Sequence, residues 1–407
     1  MNGRTLPRFT IWRAVFAILM LAGAYATYLR VRYGLGGVTN LSDQFPWGIW
    51  IGFDILCGVG LAAGGFTLVA VVHIFNIERY KPILRPAILT AFLGYVLVVL
   101  ALLFDLGRPD HIWHPLIMWN PHSVMFEVAW CVTLYTTVLS LEFAPAVFEK
   151  FGWHKPLGWL KFISVPLMIL GVILSTLHQS SLGSLYLIVP NKLYALWYTP
   201  LLPVFFYLSS ICMGLAMTIF ESWHSSRAFG RDLELPLAAG LARVLAVLLM
   251  TLLFVRFLDL GERGALGLLR ENRTETWLFG LEIALLAVPM LLLFRRRVRW
   301  NPSKLYGCAV LVLFGFIANR LNVSITGMEA GSGTNYVPRW TEVAVTLAII
   351  ALGFAVFRVI AQYFPVFEEH RKAGDIARGP LTGRVSAGST PEESQQQPEL
   401  TAPFLGG

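Results

Sequence analysis

The chain has 407 residues, of which 56% are hydrophobic and 14% charged, with a formal net charge of +8 and a mean hydropathy of +0.64. That balance is too apolar and too aromatic for a water-soluble globule, so the chain reads as a polytopic membrane protein. The excess of positive charge has no basic, aromatic-interleaved soluble surface behind it, which excludes nucleic-acid binding and leaves anchoring at a lipid bilayer as its explanation.

Long apolar runs predict ten membrane-spanning helices, near residues 11–28, 49–75, 83–104, 124–141, 160–177, 196–220, 235–258, 277–294, 305–321 and 343–363. Each is close to the roughly 20 apolar residues that a bilayer requires. A closed barrel would need alternating apolar and polar residues, and these runs lack that alternation. Arg4, Arg8 and Arg13 ahead of the first run resemble a signal peptide, but the run is long enough to span and is followed by aromatic and basic residues 28–33, which predicts a retained anchor. Lys and Arg are denser on the side of the N-terminus. The Arg79, Lys81, Arg85 turn and the run from Arg295 to Arg299 are the strongest markers, so both termini are expected in the cytoplasm.

In chain order, the first candidate site is the aromatic, glycine-punctuated entrance Phe45-Pro-Trp-Gly-Ile-Trp50-Ile-Gly-Phe-Asp54. It suits either an interfacial aromatic belt or the mouth of a site for a flat ring. His73 lies at the cytoplasmic end of that span, and Tyr95 near the middle of the third, behind Gly94. Asp105-Leu-Gly-Arg108-Pro closes the third span on the periplasmic side, its two charges spaced to satisfy each other or to reach neighbouring helices, with mutual pairing the favoured role. His111 and His114 follow in a loop with His122; a His-x-x-His pair beside Pro109 and Pro115 reads as a turn rather than a metal site. Asn120-Pro121 looks like a helix start, which would set Glu127 about two turns into the fourth span, where a carboxyl could accept or pass a proton.

Glu142 falls near the cytoplasmic face. His178 ends the fifth span in His178-Gln-Ser-Ser181-Leu-Gly-Ser, a run dense in hydrogen-bonding and small residues, and Glu221 lies at the cytoplasmic end of the sixth. Asp54, Asp105, Arg108, Glu127, His178, Arg256, Asp259 and Arg320 thus fall near one set of helix ends. Burying an ionisable group in hydrocarbon costs roughly 2.5–3.5 kcal/mol or more, so a cluster at one depth points to proton, ion or ligand handling. Tyr95, Glu127 and Glu221, with Glu142 and His73 beside them, could form a proton file across the bundle.

Redox groups are sparse. Cys57, Cys131, Cys212 and Cys308 all fall within spans and form no Cys-x-x-Cys, so no iron–sulfur cluster and no covalent haem is expected. A b-type haem would want paired axial histidines at one depth, whereas His178 and His73 sit at opposite faces, so no haem and no metal is expected in this chain. From residue 369 the composition turns to Gly, Pro, Ser, Thr and Gln, which predicts a disordered cytoplasmic tail over 369–407 beyond a membrane domain of 1–368.

The segments 45–54, 57–66, 120–127 (Asn-Pro-His-Ser-Val-Met-Phe-Glu), 141–146 (Leu-Glu-Phe-Ala-Pro-Ala) and 178–184 together resemble the NrfD/PsrC polysulfide-reductase type of membrane subunit, and most of all its HybB-type branch from periplasmic nickel–iron hydrogenases. The resemblance covers nearly the whole chain except the tail. It implies an all-α fold of two four-helix bundles, near 45–180 and 196–325, with peripheral helices. It further implies a haem-free, quinone-reactive subunit of an oxidoreductase complex in a bacterial inner membrane, inactive alone. A periplasmic four-cluster ferredoxin-like iron–sulfur subunit would dock on it, together with a catalytic or multihaem cytochrome subunit. Positions matching Tyr95, Glu127, His178 and Glu221 are linked in such relatives to quinone chemistry or proton conduction.

On this reading menaquinone or ubiquinone meets protons beneath a rim of Asp54, Glu127 and His178, bordered by Trp50, Ser181 and Arg108. Glu127 and His178 exchange the protons, and Tyr95, Glu142, Glu221 and His73 supply them. A proton- or ion-coupled transporter and a passive membrane anchor are the alternatives of a different class, separable by solute flux through the chain alone and by tolerance to loss of every buried polar group.

Overall fold

The computed structural model describes residues 11–62, 80–228 and 233–366. Among these residues the chain is helical without strands, and ten principal helices follow in order: α1 Ile11–Val38, α2 Trp50–Leu61, α3 Lys81–Asp105, α4 Val124–Phe151, α5 His154–Ser184, α6 Leu202–Ala228, α7 Leu235–Glu262, α8 Thr274–Leu293, α9 Pro302–Leu321 and α10 Trp340–Tyr363. Nine of them, α2 excepted, are long and apolar enough to cross a bilayer, which makes this a multi-pass membrane protein. α2 opens the remaining expected span. The rest of that span, His73 included, lies outside the described residues, as does the expected tail.

Local chemistry fixes the helix ends. Asn301 accepts a hydrogen bond from the Lys304 amide at 3.0 Å and precedes Pro302, starting α9. Gly152, at a positive φ of 68°, closes α4 in the left-handed conformation that glycine adopts without a steric cost. The Glu342 carboxylate reaches back to the Arg339 amide at 2.7 Å and so holds the start of α10. At the head of α4, Asn120 and Pro121 form a turn instead of a cap. The Ser123 amide bonds back to the Asn120 carbonyl at 3.0 Å, and the Ser123 hydroxyl takes the capping role, accepting from the Phe126 amide at 3.4 Å.

Polar contacts set the two faces. Arg85, near the start of α3, pairs with Glu149 at the end of α4 at 3.0 Å and bonds the Pro365 carbonyl beyond α10 at 3.1 Å. At the opposite side, Arg30 late in α1 bonds the carbonyls of Phe104 and Leu106 at the end of α3, at 3.0 and 2.6 Å. Trp50, opening α2, donates to the Glu342 carbonyl at 3.1 Å. We call this second side the loop-rich face; the first carries Arg85 and the turn of Arg295–Arg299.

α2, α3, α4 and α5 pack as one bundle and α6, α7, α8 and α9 as another, joined where α6 meets α5 and α2; α1 and α10 pack on each other along the outside. At the seam, α2 begins with a π-helical turn, Trp50–Ile55, which lies against a second π-helical turn, Asn322–Thr326, continuing α9. Such wide turns concentrate at functional sites. The close approach requires Gly52, because a Cβ there would lie 2.3 Å from the Ser324 hydroxyl. Part of the entrance motif is therefore a packing surface.

The second bundle is locked by a buried polar network. The Glu282 carboxylate on α8 accepts from Asn319 at 2.7 Å, Trp197 at 2.9 Å and Asn322 at 2.9 Å. Asn319 in turn accepts from Arg320 at 2.7 Å, and Arg320 also donates to Ser209 at 2.9 Å while its guanidinium stacks over the Phe206 ring at 3.7 Å. Arg256 adds a second buried cation between the Phe205 and Phe279 rings. With no water in hydrocarbon to replace these partners, every member depends on the others. Replacing Glu282 with Leu strands three donors and two cations at once. Glu282→Leu is expected to cost about 3–5 kcal/mol and to lower the melting midpoint of the detergent-purified protein sharply, whereas Glu262→Leu at the exposed end of α7 leaves it nearly unchanged.

Candidate functional site

A cavity of about 550 Å³ lies between α2, α3, α6 and α10. Its volume is within the usual range of small-molecule sites, roughly 300–1,000 Å³. The walls are mostly apolar, with Phe53, Leu93, Leu97, Val98 and Ile349 among them, and two carboxyls stand at different depths. Asp54 lies toward the loop-rich face: the π-helical start of α2 carries its backbone into the seam, and Thr346 of α10 donates to its Oδ2 at 2.8 Å. Glu221 stands toward the arginine-rich side, where Thr90 of α3 donates to its Oε2 at 2.7 Å. Glu221 Oε1 is buried with no hydrogen-bond partner among the described residues. His224 and Arg358 border the same end.

On the other side of α3, a second polar group sits inside the first bundle. His178 and Tyr95 are both fully buried, and the Tyr95 hydroxyl lies 3.4 Å from His178 Nδ1. The Tyr95 ring meets Tyr135 edge-on at 4.6 Å between centroids. Next to His178, Gln179 donates to the Val59 carbonyl of α2 at 3.2 Å and accepts from Ser210 of α6 at 2.5 Å. This bond ties α5 to α2 and α6. His178 does not end its helix: α5 runs on to Ser184, because Gly183 lets it close against the α6 backbone at Leu202.

The expected rim is therefore not one pocket. Asp54 and Glu221 share the cavity, while His178 and Tyr95 face each other behind it. Trp50 is at the right height but turns away from the cavity, buried toward Glu342 and the Phe104 ring. Ser181 is buried and bonds back to the His178 carbonyl at 3.1 Å, a helix-internal contact. Arg108 is exposed and does not satisfy Asp105, a correction to the expected pairing; the cation brought to Asp105 is Arg30, from a helix whose approach no local spacing reveals.

Glu127 also requires correction. Since Ser123 caps α4, Glu127 falls in the first turn and is exposed, not two turns deep. Arg256 and Arg320, expected near the same helix ends, belong to the Glu282 network. Glu142 is half-buried between α4 and α5. His111 and His114 stack at 4.0 Å in an exposed stretch, with Asp110 at 3.3 Å from His111. The described residues contain no group of three or more His, Cys, Asp or Glu side chains arranged to hold a metal ion.

Three groups escaped the sequence reading. Thr90 and Thr346 look like ordinary small residues of apolar spans, and their acidic partners are 131 and 292 residues away. Glu282, a lone acid in the very apolar eighth helix, was the one legible signal, since such a charge needs buried partners.

With this geometry in hand, comparison with known proteins is informative. Residues 37–330 match the family described as "Polysulphide reductase, NrfD". The chain is 37% identical over 366 residues to a protein of Nitratidesulfovibrio vulgaris, covering 88% of this chain and 94% of the relative. It is 34% identical to the "Probable Ni/Fe-hydrogenase 2 b-type cytochrome subunit" of Escherichia coli, covering 86% and 91%. It is 28% identical to the "Menaquinone reductase, integral membrane subunit" of N. vulgaris, covering 90% and 93%. A match to the family across both bundles, with near full-length relatives, establishes that the chain belongs to the NrfD polysulphide reductase family of proteins.

Proposed function

We propose that this protein is the haem-free quinone-binding membrane subunit of a multisubunit oxidoreductase, passing electrons between an iron–sulfur subunit and the menaquinone or ubiquinone pool with linked proton transfer. The observation that carries this reading is the largely apolar cavity with Asp54 and Glu221 at different depths, in a chain related over nearly its full length to a menaquinone reductase membrane subunit. A quinone supplies a flat ring that takes up electrons and protons and a long isoprenoid chain. Phe53, Leu97, Val98 and Ile349 fit the ring and the chain, and Asp54 is the group placed to exchange a proton with the ring.

Thr346 holds the Asp54 carboxyl in position, and Glu221, held by Thr90, relays protons into the cavity from the arginine-rich side. By the density of Lys and Arg that side faces the cytoplasm of a bacterial inner membrane, with both termini there. His178 and Tyr95 are a buried proton-exchanging pair behind the cavity, and Glu142 lies on the same proton route. Glu127 stands at the surface and takes no part in the pocket.

Electrons arrive from outside the chain, since its cysteines are separate and buried. The iron–sulfur partner, a four-cluster ferredoxin-like subunit, docks on the loop-rich face, where the segment 109–123 exposes Trp113, Ile117 and Trp119. Beyond it stands a catalytic or multihaem cytochrome subunit. The family's membrane fold serves several such assemblies, so the donor is set by separate chains. The Escherichia coli relative carries the name of a b-type cytochrome subunit. Here His178 is the one buried histidine among the described residues, and its Nδ1 is turned to Tyr95, which supports the haem-free reading.

In the purified complex, Asp54→Asn is expected to lower quinone reduction by about 100-fold with subunits still assembled. Glu221→Gln is expected to reduce the membrane potential built by the complex in liposomes. Unchanged rates in Asp54→Asn, or a reduced spectrum with b-type haem bands assigned to this subunit, would contradict the reading.

A further inference from the structure

Several buried polar atoms remain without a hydrogen-bond partner among the described residues, and some of them fall on one line. They are the Tyr135 hydroxyl of α4, the Ser175 hydroxyl of α5 and His178 Nε2 of α5. Tyr135 is 1% exposed, and Ser175 and His178 are 0% exposed. In hydrocarbon an unpaired polar group costs free energy that packing does not return, so three neighbours in this state call for a reason.

The helix registers align them. Tyr135, Val138 and Glu142 recur on one face of α4, and Gly171, Ser175 and His178 on one face of α5. The two faces meet. A Cβ at Gly171 would stand 3.2 Å from Val138 Cγ1 and 3.4 Å from Glu142 Oε1. One turn along, the Ser175 hydroxyl is beside that of Tyr135 without a formed hydrogen bond. The Tyr135 ring meets Tyr95 at 4.6 Å, and the Tyr95 hydroxyl is 3.4 Å from His178 Nδ1. The order along the bundle is thus Glu142, then Ser175 with Tyr135, then His178 with Tyr95. Gly171, beside Glu142, and Ser175 are one turn apart on the same face of α5, so Glu142 and the Ser175 hydroxyl stand at successive levels of one seam.

We infer that Tyr135 and Ser175 form a hydroxyl link that carries protons from Glu142 to His178, a second proton line separate from the one through Glu221 and the Asp54 cavity. In each transfer the Glu142 carboxyl gives up a proton and becomes a carboxylate. Each hydroxyl accepts one proton and releases its own, ending unchanged, and the imidazole of His178 gains one at Nε2. Glu142 is then reprotonated from the arginine-rich side, and His178 gives up a proton from Nδ1 to the Tyr95 hydroxyl 3.4 Å away, which releases its own toward the cavity that α3 walls, so both groups end unchanged.

This inference rests on the proposed quinone reaction. Two-electron reduction of a quinone takes up two protons, the electrons coming from the iron–sulfur partner. Two lines, one through Asp54 and one through His178 and Tyr95, deliver one proton each. Gly171 has a specific part in this, since a side chain there would press on Val138 and on the Glu142 carboxyl where the line begins.

The test uses the whole complex in liposomes, with a water-soluble menaquinone analogue as the probe. Ser175→Ala and Gly171→Val are expected to slow quinone reduction by about tenfold or more with KM unchanged, to raise the solvent deuterium isotope effect, and to co-purify normally with the other subunits. Ser175→Thr, which restores a hydroxyl, is expected to recover both the rate and the isotope effect. Tyr135→Phe is a second, independent break in the line. If the parent complex reduces the quinone while Ser175→Ala and Tyr135→Phe keep its rate and isotope effect, the line is overturned and the quinone reading stands. A parent complex that reduces no quinone overturns the reading and the line with it.

Discussion

The structure depends on one constraint: inside a bilayer no water replaces a missing hydrogen bond, so every buried polar group must find its partner within the protein. The second bundle obeys it closely. Glu282 collects three donors, and Arg320 divides its guanidinium among Asn319, Ser209, the Phe206 carbonyl and an aromatic face. Even there Arg256 Nε and Arg320 Nε stay unpaired, as do atoms of Tyr135, Ser175 and His178 in the first bundle and of Glu221 at its border. The difference is chemical: the second bundle leaves guanidinium nitrogens over, whereas the first and its border leave hydroxyl, imidazole and carboxyl groups, the kinds that exchange protons on the proposed reading.

The seam between the bundles turns this contrast into a site. Two π-helical turns, one opening α2 and one following α9, press together through Gly52 and Ser324. This places Asp54 where α10 supplies Thr346 and the cavity begins. The outer pair α1 and α10 therefore does more than fill space around the bundles, since α10 contributes both the Glu342 latch and the hydrogen bond to Asp54. On the proposed reading, one membrane fold can serve many donor chains because quinone and protons would be handled within this chain and electrons received outside it.

The helices were legible in the sequence, their ends and the direction around them less so. Apolar runs gave the number and order of the helices, but α1 and α4 run about three turns past their apolar stretches, and His178, read at a helix end, lies inside α5 beside the mid-span Tyr95. Hydropathy says nothing of which side of a nearly uniformly apolar helix faces a cavity, so Trp50 and Asp54, one turn apart, could not be separated. Local spacing also misled where a partner came from afar. Asp105 looked paired with Arg108 but meets Arg30, and a serine three residues past Asn120 moved the start of α4 enough to put Glu127 at the surface. Thr90, Thr346, Tyr135 and Ser175 carry no signal of their own in an apolar span; they become visible only when another helix brings their partners to them.

The central claim is that the cavity beside Asp54 receives the quinone ring. Photolabelling the assembled complex in native-like membranes with an azido-menaquinone, followed by peptide mapping, tests it most directly. The account predicts label on residues 53–62 of α2, on α3 near Val98 or on α10 near Ile349, lost on competition with unlabelled menaquinone. Competable label confined instead to the second bundle, on α7 or α8, would contradict it.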